Sequence, residues 1–327
     1  MKIALNYRKG NPRLREGIES AGHEVLENAW DINTIISEGI NAAIFEFKYI
    51  FKDKWRFLSL ARRLRQHKIP IITWNVDSPW NAGIKKWEIN LLLRNNILSI
   101  YATHSLQNTD WIRHPTVIYL PNAAWNSKYN LCNATLEDLR LQDIYKWDTS
   151  FIGNMDGQRY PEHKNRVEFL EKLSGLLKKN NINFLFIDSK DLSFDEQVEI
   201  IQKSRINLSC ISAADSTYGL SWGLPERCYG IPACGGFLLM EDRVHVRNDF
   251  NIGDEAITYS DIEDCKDKIL YYLHRHEECR RIAENAYHRI YREHTYEHRA
   301  GKLTSQIQKT FGLNKKEPFD LPNSTLL

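Results

Sequence analysis

The sequence predicts an α/β protein in which two Rossmann-like domains carry parallel sheets that face each other across a cleft. The chain has 327 residues, which suits two domains of roughly 150 residues each. Strand and helix signals alternate in two successive runs, and such alternation implies a parallel sheet with helices on both faces. The alternation is lost between about residues 124 and 147, where a connection between the domains is expected.

The first run predicts an N-terminal domain over residues 1–124. It opens with the strand KIALNY and the amphipathic helix RLREGIESAG, which Gly22 closes as a C-cap residue. Further strands are predicted at HEVLENAW, AAIFEFKY, IPIITWNV, ILSIYATHS and TVIYLPNA, and helices at about 53–67 and 105–113. Ligands of parallel sheets bind beyond the carboxyl ends of the strands, so we expect the residues that follow these strands to face the cleft.

The second run predicts a C-terminal domain over residues 148–295, after a connection at 125–147. Its strands are predicted at TSFIGN, INFLFIDS, RINLSCI, GFLLMED and EAITYS, and its helices at about 162–178, 194–204, 261–273 and 276–292. A last helix, 296–312, is expected to pack back across the domains. The polar, proline-containing tail at 313–327 is expected to be mobile.

The composition is that of a soluble globular protein, with 42% hydrophobic and 26% charged residues. A net charge of +2 gives no global argument for binding to nucleic acid or membrane. No window approaches the ~20 apolar residues that span a bilayer, and the first residues lack the pattern of a secretory signal. The six cysteines include no CxxC pair and no metal-ligand spacing, so we expect reduced thiols and a cytoplasmic location.

A first candidate anion site follows the strand TSFIGN. Gly153 and Asn154 form a turn before a helix, whose N-terminus would offer free backbone N–H groups to a phosphate. Arg159 adds positive charge to this turn. Three further basic residues follow it, His163, Lys164 and Arg166. Glycine turns after strands are also common for steric reasons, so this pattern alone is not specific for phosphate.

The stretch ERCYGIPACGG, residues 226–236, is a second candidate. Gly223 and Pro225 fit the start of a short helix, because proline at the first helical position loses no needed hydrogen bond. Arg227 suits a bidentate clamp on a pyrophosphate, and Glu226 suits acceptance of hydrogen bonds from ribose hydroxyls. The alternative is a solvated first turn in which Glu226 only favours the helix dipole. The residues alone leave both interpretations open.

Several segments recur in the same order in a known family. They are FIGN with its arginine-bearing helix, RCYGIPACGGFLLMED, NDFNIGDEAITYSDIEDCKDKILYYL, RRIAENAY and EHTYEHRAGKL. Over about residues 150–305 they resemble the C-terminal domain of the CgeB-like (spore maturation protein B-like) glycosyltransferases, which have the GT-B fold. WNVDSPW in the first half is similar to that family's Trp-to-Asp-Pro-Trp segment. The resemblance implies a nucleotide-diphosphate sugar as donor substrate in the C-terminal domain, an acceptor held mainly by the N-terminal domain, and no metal or other cofactor.

The sequence departs from that family at one point. The family pattern Arg-x-Phe-Glu-x-x-Ala-Cys-Gly is met at Arg227, but Tyr229 replaces phenylalanine and Gly230 stands where the donor-binding glutamate is expected. A second glutamate, which many GT-B enzymes carry eight positions earlier, is Trp222 here. Glu226 lies one helical turn before Gly230, so we hypothesise that it reaches across the gap.

Asp77 is the first candidate for the catalytic base. It follows the strand IPIITWNV, so it should face the cleft, where a base must lie within hydrogen-bond reach of the acceptor hydroxyl. His104 is the second candidate and Glu46 the third. The alternatives are a turn that Asp77 stabilises and a satisfied His104 ring in the first turn of a helix.

The segment from Lys48 to Lys68 holds eight Lys or Arg residues against one acid, Asp53. Aromatic residues are interleaved with them, Tyr49, Phe51, Trp55 and Phe57. One interpretation is a solvated helix face whose aromatics lie in the core. The other is a surface for an anionic acceptor such as DNA, a teichoic-type polymer or a lipid phosphate. The resemblance, taken with the two-domain pattern, implies a glycosyltransferase that moves a sugar from a nucleotide-diphosphate donor to an acceptor hydroxyl. The alternatives are glycosylation of a modified nucleic-acid base, a non-catalytic nucleotide-sugar-binding module and a GT-B-like epimerase.

Overall fold

The computed structural model describes residues 1–76, 84–107, 109–112, 115–158, 163–210 and 222–312. These residues form two α/β halves, each built around a parallel sheet. The first sheet has the strand order β2-β1-β3-β4-β5-β6, and the second has the order β11-β10-β9-β7-β8. All strand neighbours pair in parallel, so all carboxyl ends of one sheet lie at one edge. The predicted fold class is confirmed.

The first half alternates strands and helices. Its strands are β1 (Lys2–Asn6), β2 (Glu24–Glu27), β3 (Ala42–Phe45), β4 (Ile71–Asn75), β5 (Ile100–Thr103) and β6 (Thr116–Tyr119). Its helices are α1 (Pro12–Ser20), α2 (Ile32–Ser37), α3 (Phe47–Lys52), α4 (Lys54–Gln66) and α5 (Lys86–Arg94). The central strands β3, β4 and β5 are buried along their whole length, because helices cover both faces of the sheet.

The second half repeats the plan. Its strands are β7 (Trp147–Ile152), β8 (Phe184–Ile187), β9 (Ser204–Ser209), β10 (Leu238–Glu241) and β11 (Ile257–Tyr259). Its helices are α6 (Lys164–Lys179), α7 (Phe194–Gln202), α8 (Arg227–Ala233), α9 (Val246–Asp249), α10 (Ile262–Leu273) and α11 (His276–Glu293). Between the halves, two short 3-10 turns span Asp138–Arg140 and Gln142–Ile144. Within the described ranges, no helix has the length and apolar character needed to cross a bilayer.

The last helix, α12 (Tyr296–Phe311), lies against the first half although it follows the second. Its buried residues Ala300, Leu303 and Ile307 share a core with strands β1, β3 and β4. Gly17 of α1 permits this packing, because a Cβ at that position would come within 2.5 Å of the Tyr296 backbone oxygen. The tail at 313–327, for which mobility is predicted, lies outside the described residues.

The predicted helix at 105–113 is wrong. The described residues of this stretch form turns and no helix. The Thr103 hydroxyl donates to the Ser105 backbone oxygen at 3.0 Å, and the Thr109 hydroxyl donates to the Leu106 oxygen at 2.8 Å. Local side-chain bonds of this kind offer the backbone an alternative to helical hydrogen bonds.

Two boundaries and three additional helices also differ from the sequence prediction. The strand predicted at AAIFEFKY ends at Phe45, and α3 begins two residues later with Glu46 as its N-cap. Helix α8 begins at Arg227 rather than at Pro225, which lies in the turn before it. The short helices α2, α5 and α9 have no counterpart in the prediction. Two of them have only six and four residues, so their hydrophobic periodicity is too short to recognise.

Candidate functional site

Four residues singled out in the sequence meet at the carboxyl edge of the second sheet. Gly153 and Asn154 directly follow β7, while Gly223 and Arg227 lie in and just after the turn that leads into α8. The guanidinium of Arg227 reaches Gly153, where an added Cβ would lie 2.6 Å from its Nη1 atom. The two candidate anion sites of the sequence are therefore parts of one site.

Arg227 is held there by the end of β7. Its guanidinium lies over the Phe151 ring, 4.9 Å from the ring centroid, and donates to the Ile152 backbone oxygen at 3.5 Å. Gly153 is required for this arrangement, because a Cβ would also come within 2.8 Å of the Phe151 ring. Burial lowers the pKa of Arg227. Among the described residues no carboxylate forms an ion pair with Arg227, so an anionic ligand would stabilise this buried charge.

Two further arginines bring their guanidiniums to the same edge. Arg166 of α6 is 3% exposed and donates to the Asn154 backbone oxygen at 2.7 Å. Arg243, also 3% exposed, donates to the Gly223 backbone oxygen at 2.7 Å and to the Glu241 carboxylate at 2.8 Å. Each arginine therefore fixes one of the two loops that border Arg227.

The three guanidiniums lie close enough to repel one another. Burial, together with the positive charges of Arg227 and Arg243, lowers the pKa of Arg166 to about 10. Burial likewise lowers the pKa of Arg227, with Arg243 adding to the effect. Positive charge concentrated at the carboxyl edge of a parallel sheet is suited to a ligand with more than one negative charge. We call Arg166, Arg227 and Arg243 the arginine cluster.

Arg243 is not among the site residues that the sequence predicts. The signal was its position two residues after the buried strand β10, at a carboxyl end, which is where such sheets bind ligands. The sequence indicates Arg166 only as a positive charge near the turn at Gly153. Its burial inside α6 follows from the packing of that helix on β7, because its guanidinium lies 5.9 Å from the Phe151 ring centroid.

The turn after β7 is fixed by its own hydrogen bonds. The Asn154 side-chain oxygen accepts from the Asp156 N–H at 2.9 Å, so this side chain stabilises the turn. Asp188, which follows β8, accepts from the Met155 N–H at 3.0 Å. Burial alone would raise the pKa of Asp188, but hydrogen bonds from the N–H groups of Lys190 and Met155 hold it below its usual value.

Glu226 does not fill the gap beside Gly230. A Cβ on Gly230 would lie 3.3 Å from the ring of Tyr129, which occupies that space and donates to the Gln197 side-chain oxygen at 2.8 Å. The Oε2 atom of Glu226 instead forms an ion pair with Arg13 of α1, in the other half. Burial raises the pKa of Glu226, and the charge of Arg13 opposes this rise. The buried Oε1 atom of Glu226 has no hydrogen-bond partner among the described residues.

Of the three candidate bases, the structure describes His104 and Glu46 but not Asp77. Asp77, like the phosphate candidate Arg159, lies outside the described residues. His104 is buried directly after β5, and its backbone N–H donates to the Asn75 oxygen at 2.9 Å. Glu46 follows β3 and accepts from the Arg8 N–H at 3.2 Å. His104 and Glu46 thus lie at the carboxyl edge of the first sheet.

The carboxyl edges of the two sheets face each other. The Leu106 N–H, just after β5, donates at 3.1 Å to Nε2 of His245, which follows β10. The hydroxyls of Tyr119 and Tyr229, one from each half, both donate to the Asp249 carboxylate, at 2.8 and 2.7 Å. The arginine cluster therefore opens toward the edge that carries the candidate bases. The described ranges contain no group of three or more His, Cys, Asp or Glu side chains able to hold a metal ion.

This architecture is similar to that of solved glycosyltransferase structures. Sucrose-phosphate synthase from Thermosynechococcus elongatus matches with a TM-score of 0.62 at 11% identity, covering 96% of this chain and 100% of that one. HepE from Anabaena, solved with UDP and glucose, matches with a TM-score of 0.58 at 9% identity, covering 94% and 100%. An alpha-glucosyltransferase solved with UDP and a 13-mer DNA containing an HMU base matches with a TM-score of 0.61 at 12% identity, covering 94% and 99%.

At 9–12% identity these structures establish only the fold, and the family is assigned from the sequence. No curated protein matches the chain by sequence. A family model described as glycosyl transferase-like matches residues 133–305, which include β7 to β11 and the whole arginine cluster. The chain therefore belongs to the glycosyl transferase-like family, and the sequence prediction of a GT-B glycosyltransferase is confirmed.

Proposed function

We propose that this glycosyltransferase moves a sugar from a nucleotide-diphosphate donor to an acceptor hydroxyl without a metal ion. The observation that carries the proposal is the arginine cluster at the carboxyl edge of the second sheet. Glycosyl transfer leaves a nucleoside diphosphate, and stabilising its developing negative charge is the main catalytic requirement. Three oriented guanidiniums in a buried site meet that requirement with no reorganisation during the reaction.

The roles of the residues follow from their hydrogen bonds. Arg227, which has no carboxylate partner among the described residues, would clamp the diphosphate. Arg166 and Arg243 would hold the turns at Asn154 and Gly223 and add charge. Gly153 would let the donor approach the end of β7, since no side chain fits there beside Arg227.

Glu226 remains our candidate for the donor ribose or sugar. Its Oε2 atom is engaged by Arg13, but its Oε1 atom has no partner within the described structure and can accept a hydrogen bond from a hydroxyl. Asp77 remains the proposed base, with His104 as the second choice. A base at the carboxyl edge of the first sheet would face the donor across the cleft.

Uridine nucleotides are the first donors to test. HepE and the alpha-glucosyltransferase were both solved with UDP. We also propose that the chain belongs to the CgeB-like subfamily, on the order of the segments from Phe151 to Leu303, and that it acts in the cytoplasm.

Calorimetric titration with a panel of UDP-, GDP- and TDP-sugars tests the proposal, followed by assays for hydrolysis and transfer. We expect one donor to bind and Arg227→Ala to weaken its binding by at least about tenfold, the loss typical of a charged hydrogen-bonding partner. Donor binding with no turnover under any acceptor would favour a non-catalytic module. Absence of binding to every nucleotide diphosphate would contradict the proposal.

Glycosylation of a modified base in DNA is a second candidate. It is supported by the basic segment from Lys48 to Lys68 and by the fold shared with an alpha-glucosyltransferase solved on DNA. Binding through phosphates must weaken steeply with salt. An affinity for duplex DNA that is absent, or that does not depend on salt, would remove this candidate.

A further inference from the structure

The first half presents an unusual exposed face on two neighbouring helices. Trp55 of α4 is 84% exposed, and Trp87 and Leu91 of α5 are 60% and 50% exposed. Large apolar side chains in such positions are costly in water unless another surface covers them. We define the α4–α5 face by these three residues together with Leu58, Arg62 and Arg65 of α4.

The two helices lie side by side and run in the same direction. Near their first residues, Lys54 of α4 pairs with Glu88 of α5. Near their last residues, Arg65 of α4 donates to the backbone oxygen of Asn95, the C-cap of α5, at 3.3 Å. Trp55 and Trp87 therefore lie at the same end of the face. Both are in the first turn of their helix.

A groove with an apolar floor runs along the other end of this face. It has a volume of about 510 Å³. It is lined by Leu58, Ala61, Arg62, Arg65, Gln66, Asn95 and Ile97. Two guanidiniums beside aliphatic side chains suit a ligand that combines an anionic group with a hydrocarbon part.

Positive charge is concentrated in the segment that carries α4. All eight Lys and Arg residues between Lys48 and Lys68 are exposed, while the one acid, Asp53, caps α4 by accepting from the Arg56 N–H at 3.3 Å. The whole chain has a net charge of only +2, so this concentration is local. Arg62 and Arg65 form no ion pair with a described residue.

The four aromatic residues between Lys48 and Lys68 fall into two groups, one packed against the protein and one exposed. Phe57 is fully buried, Tyr49 packs edge-on against Trp30, and Phe51 packs against Phe47. Trp55 alone among the four points into solvent. The solvated-face interpretation therefore accounts for three of the aromatics and leaves Trp55 unexplained.

We propose that the α4–α5 face docks on an anionic lipid bilayer. Exposed tryptophans, which favour the membrane interface, and clustered cations, which anionic lipids attract, are the two elements of peripheral membrane binding. A nucleic acid would bind the cations through its phosphates and could stack a base on Trp55. It would make no favourable contact with the aliphatic side chains of Leu58, Leu91 and Ile97. The inference goes beyond the proposed function and does not depend on the identity of the donor.

The position of Trp55 relative to the cleft bears on where an acceptor would be bound. Helix α4 runs from the carboxyl edge of the first sheet toward its amino edge, since it returns the chain to the start of β4. Trp55, in its first turn, therefore lies on the cleft side. A bilayer docked on this end would lie beside the half that holds the candidate bases.

Vesicle co-sedimentation tests the proposal. We expect the protein to bind phosphatidylcholine vesicles containing about a third phosphatidylglycerol at least about tenfold more tightly than pure phosphatidylcholine, with the difference reduced by salt. Arg62→Glu with Arg65→Glu should abolish the preference. Trp55→Ser with Trp87→Ser should weaken binding by about tenfold, because the apolar contact is lost.

Matched controls lie on the second half. Lys172→Glu with Lys178→Glu makes the same charge change on the exposed face of α6, and Tyr271→Ser removes an exposed aromatic from α10. Both controls should bind vesicles as the wild type does, and thermal unfolding should show that all variants are folded. Equal binding to both vesicle types would overturn the proposal. So would duplex DNA binding without vesicle binding, or a dimer that the tryptophan variants dissociate.

Discussion

Arg13 of α1 and Glu226 at the N-cap of α8 form an ion pair that joins the two halves of the molecule. The residues are 213 positions apart, and each lies on the side of its half that faces the other. Tyr129 and Tyr296 lie near the pair, since the charge of Glu226 contributes to raising the pKa of both hydroxyls after burial. The pair is therefore a partly buried electrostatic contact between the two halves of the molecule.

Removal of one partner should destabilise the protein. Arg13→Ala leaves a buried carboxylate without its counter-charge, and we expect a loss of about 1–2 kcal/mol, between the values for exposed and fully buried pairs. Urea unfolding of Arg13→Ala, Glu226→Ala and the double variant measures the coupling. Strictly additive losses would show that the two charges do not interact.

Gly153 should tolerate no side chain. In Gly153→Ala the new Cβ would lie 2.6 Å from Arg227 Nη1 and 2.8 Å from the Phe151 ring, so the guanidinium must move. We expect donor binding, measured by calorimetry, to weaken by about tenfold.

Gly175→Ala in α6 is the matched control, because a Cβ there meets no atom within 4 Å. This change should leave binding intact and raise stability by about 0.5–1 kcal/mol, the helical preference for alanine over glycine. Equal binding by both alanine variants would refute the role of Gly153.

A glutamate at position 230, where the CgeB-like pattern has one, should be tolerated only if Tyr129 is also made smaller. Gly230→Glu places a side chain against the Tyr129 ring, 3.3 Å from the Cβ, and we expect a destabilisation of about 1–3 kcal/mol from overpacking. Adding Tyr129→Ala should recover part of that loss. Chemical denaturation of the wild type and the two variants provides the measurement, and a Gly230→Glu variant as stable as the wild type would contradict the packing.

Stability should depend on pH through His294. Burial lowers the pKa of His294, and together with the charge of Arg299, which donates to its Nδ1 atom at 2.9 Å, it brings this pKa to about 4. The unfolded state therefore binds the proton more readily. The stability of the neutral form is fully present above pH ~6.5 and is lost as the pH falls toward about 4, by up to about 3 kcal/mol.

Denaturation of the wild type and of His294→Gln at several pH values between 4 and 7 isolates this contribution. The glutamine variant retains hydrogen-bonding groups but does not titrate, so its stability should fall less steeply toward acid. Parallel curves for the two proteins would exclude His294 as the source.

The sequence predicts those parts of the site that directly follow strands, because the carboxyl ends of parallel strands lie at one edge of a sheet. Gly153 and Arg227 each follow a strand or turn at a carboxyl end, so the sequence was sufficient to expect both at one edge. The Arg13–Glu226 and Tyr129–Gly230 contacts depend on how the halves and their connection pack, which no local pattern encodes. The turns at 105–107 and 109–112 depend on hydroxyl hydrogen bonds that compete with a helical pattern.

Recognition of a diphosphate by Arg227 and its two neighbouring arginines is the central step of the proposed function. Calorimetric comparison of UDP with UMP, or of the corresponding pair for the donor base that binds, tests this most directly. We predict that the wild type binds the diphosphate at least about tenfold more tightly, and that Arg227→Ala removes most of this difference while leaving monophosphate binding nearly unchanged. Equal affinities of the wild type for the two nucleotides, or an unchanged ratio in Arg227→Ala, would contradict it.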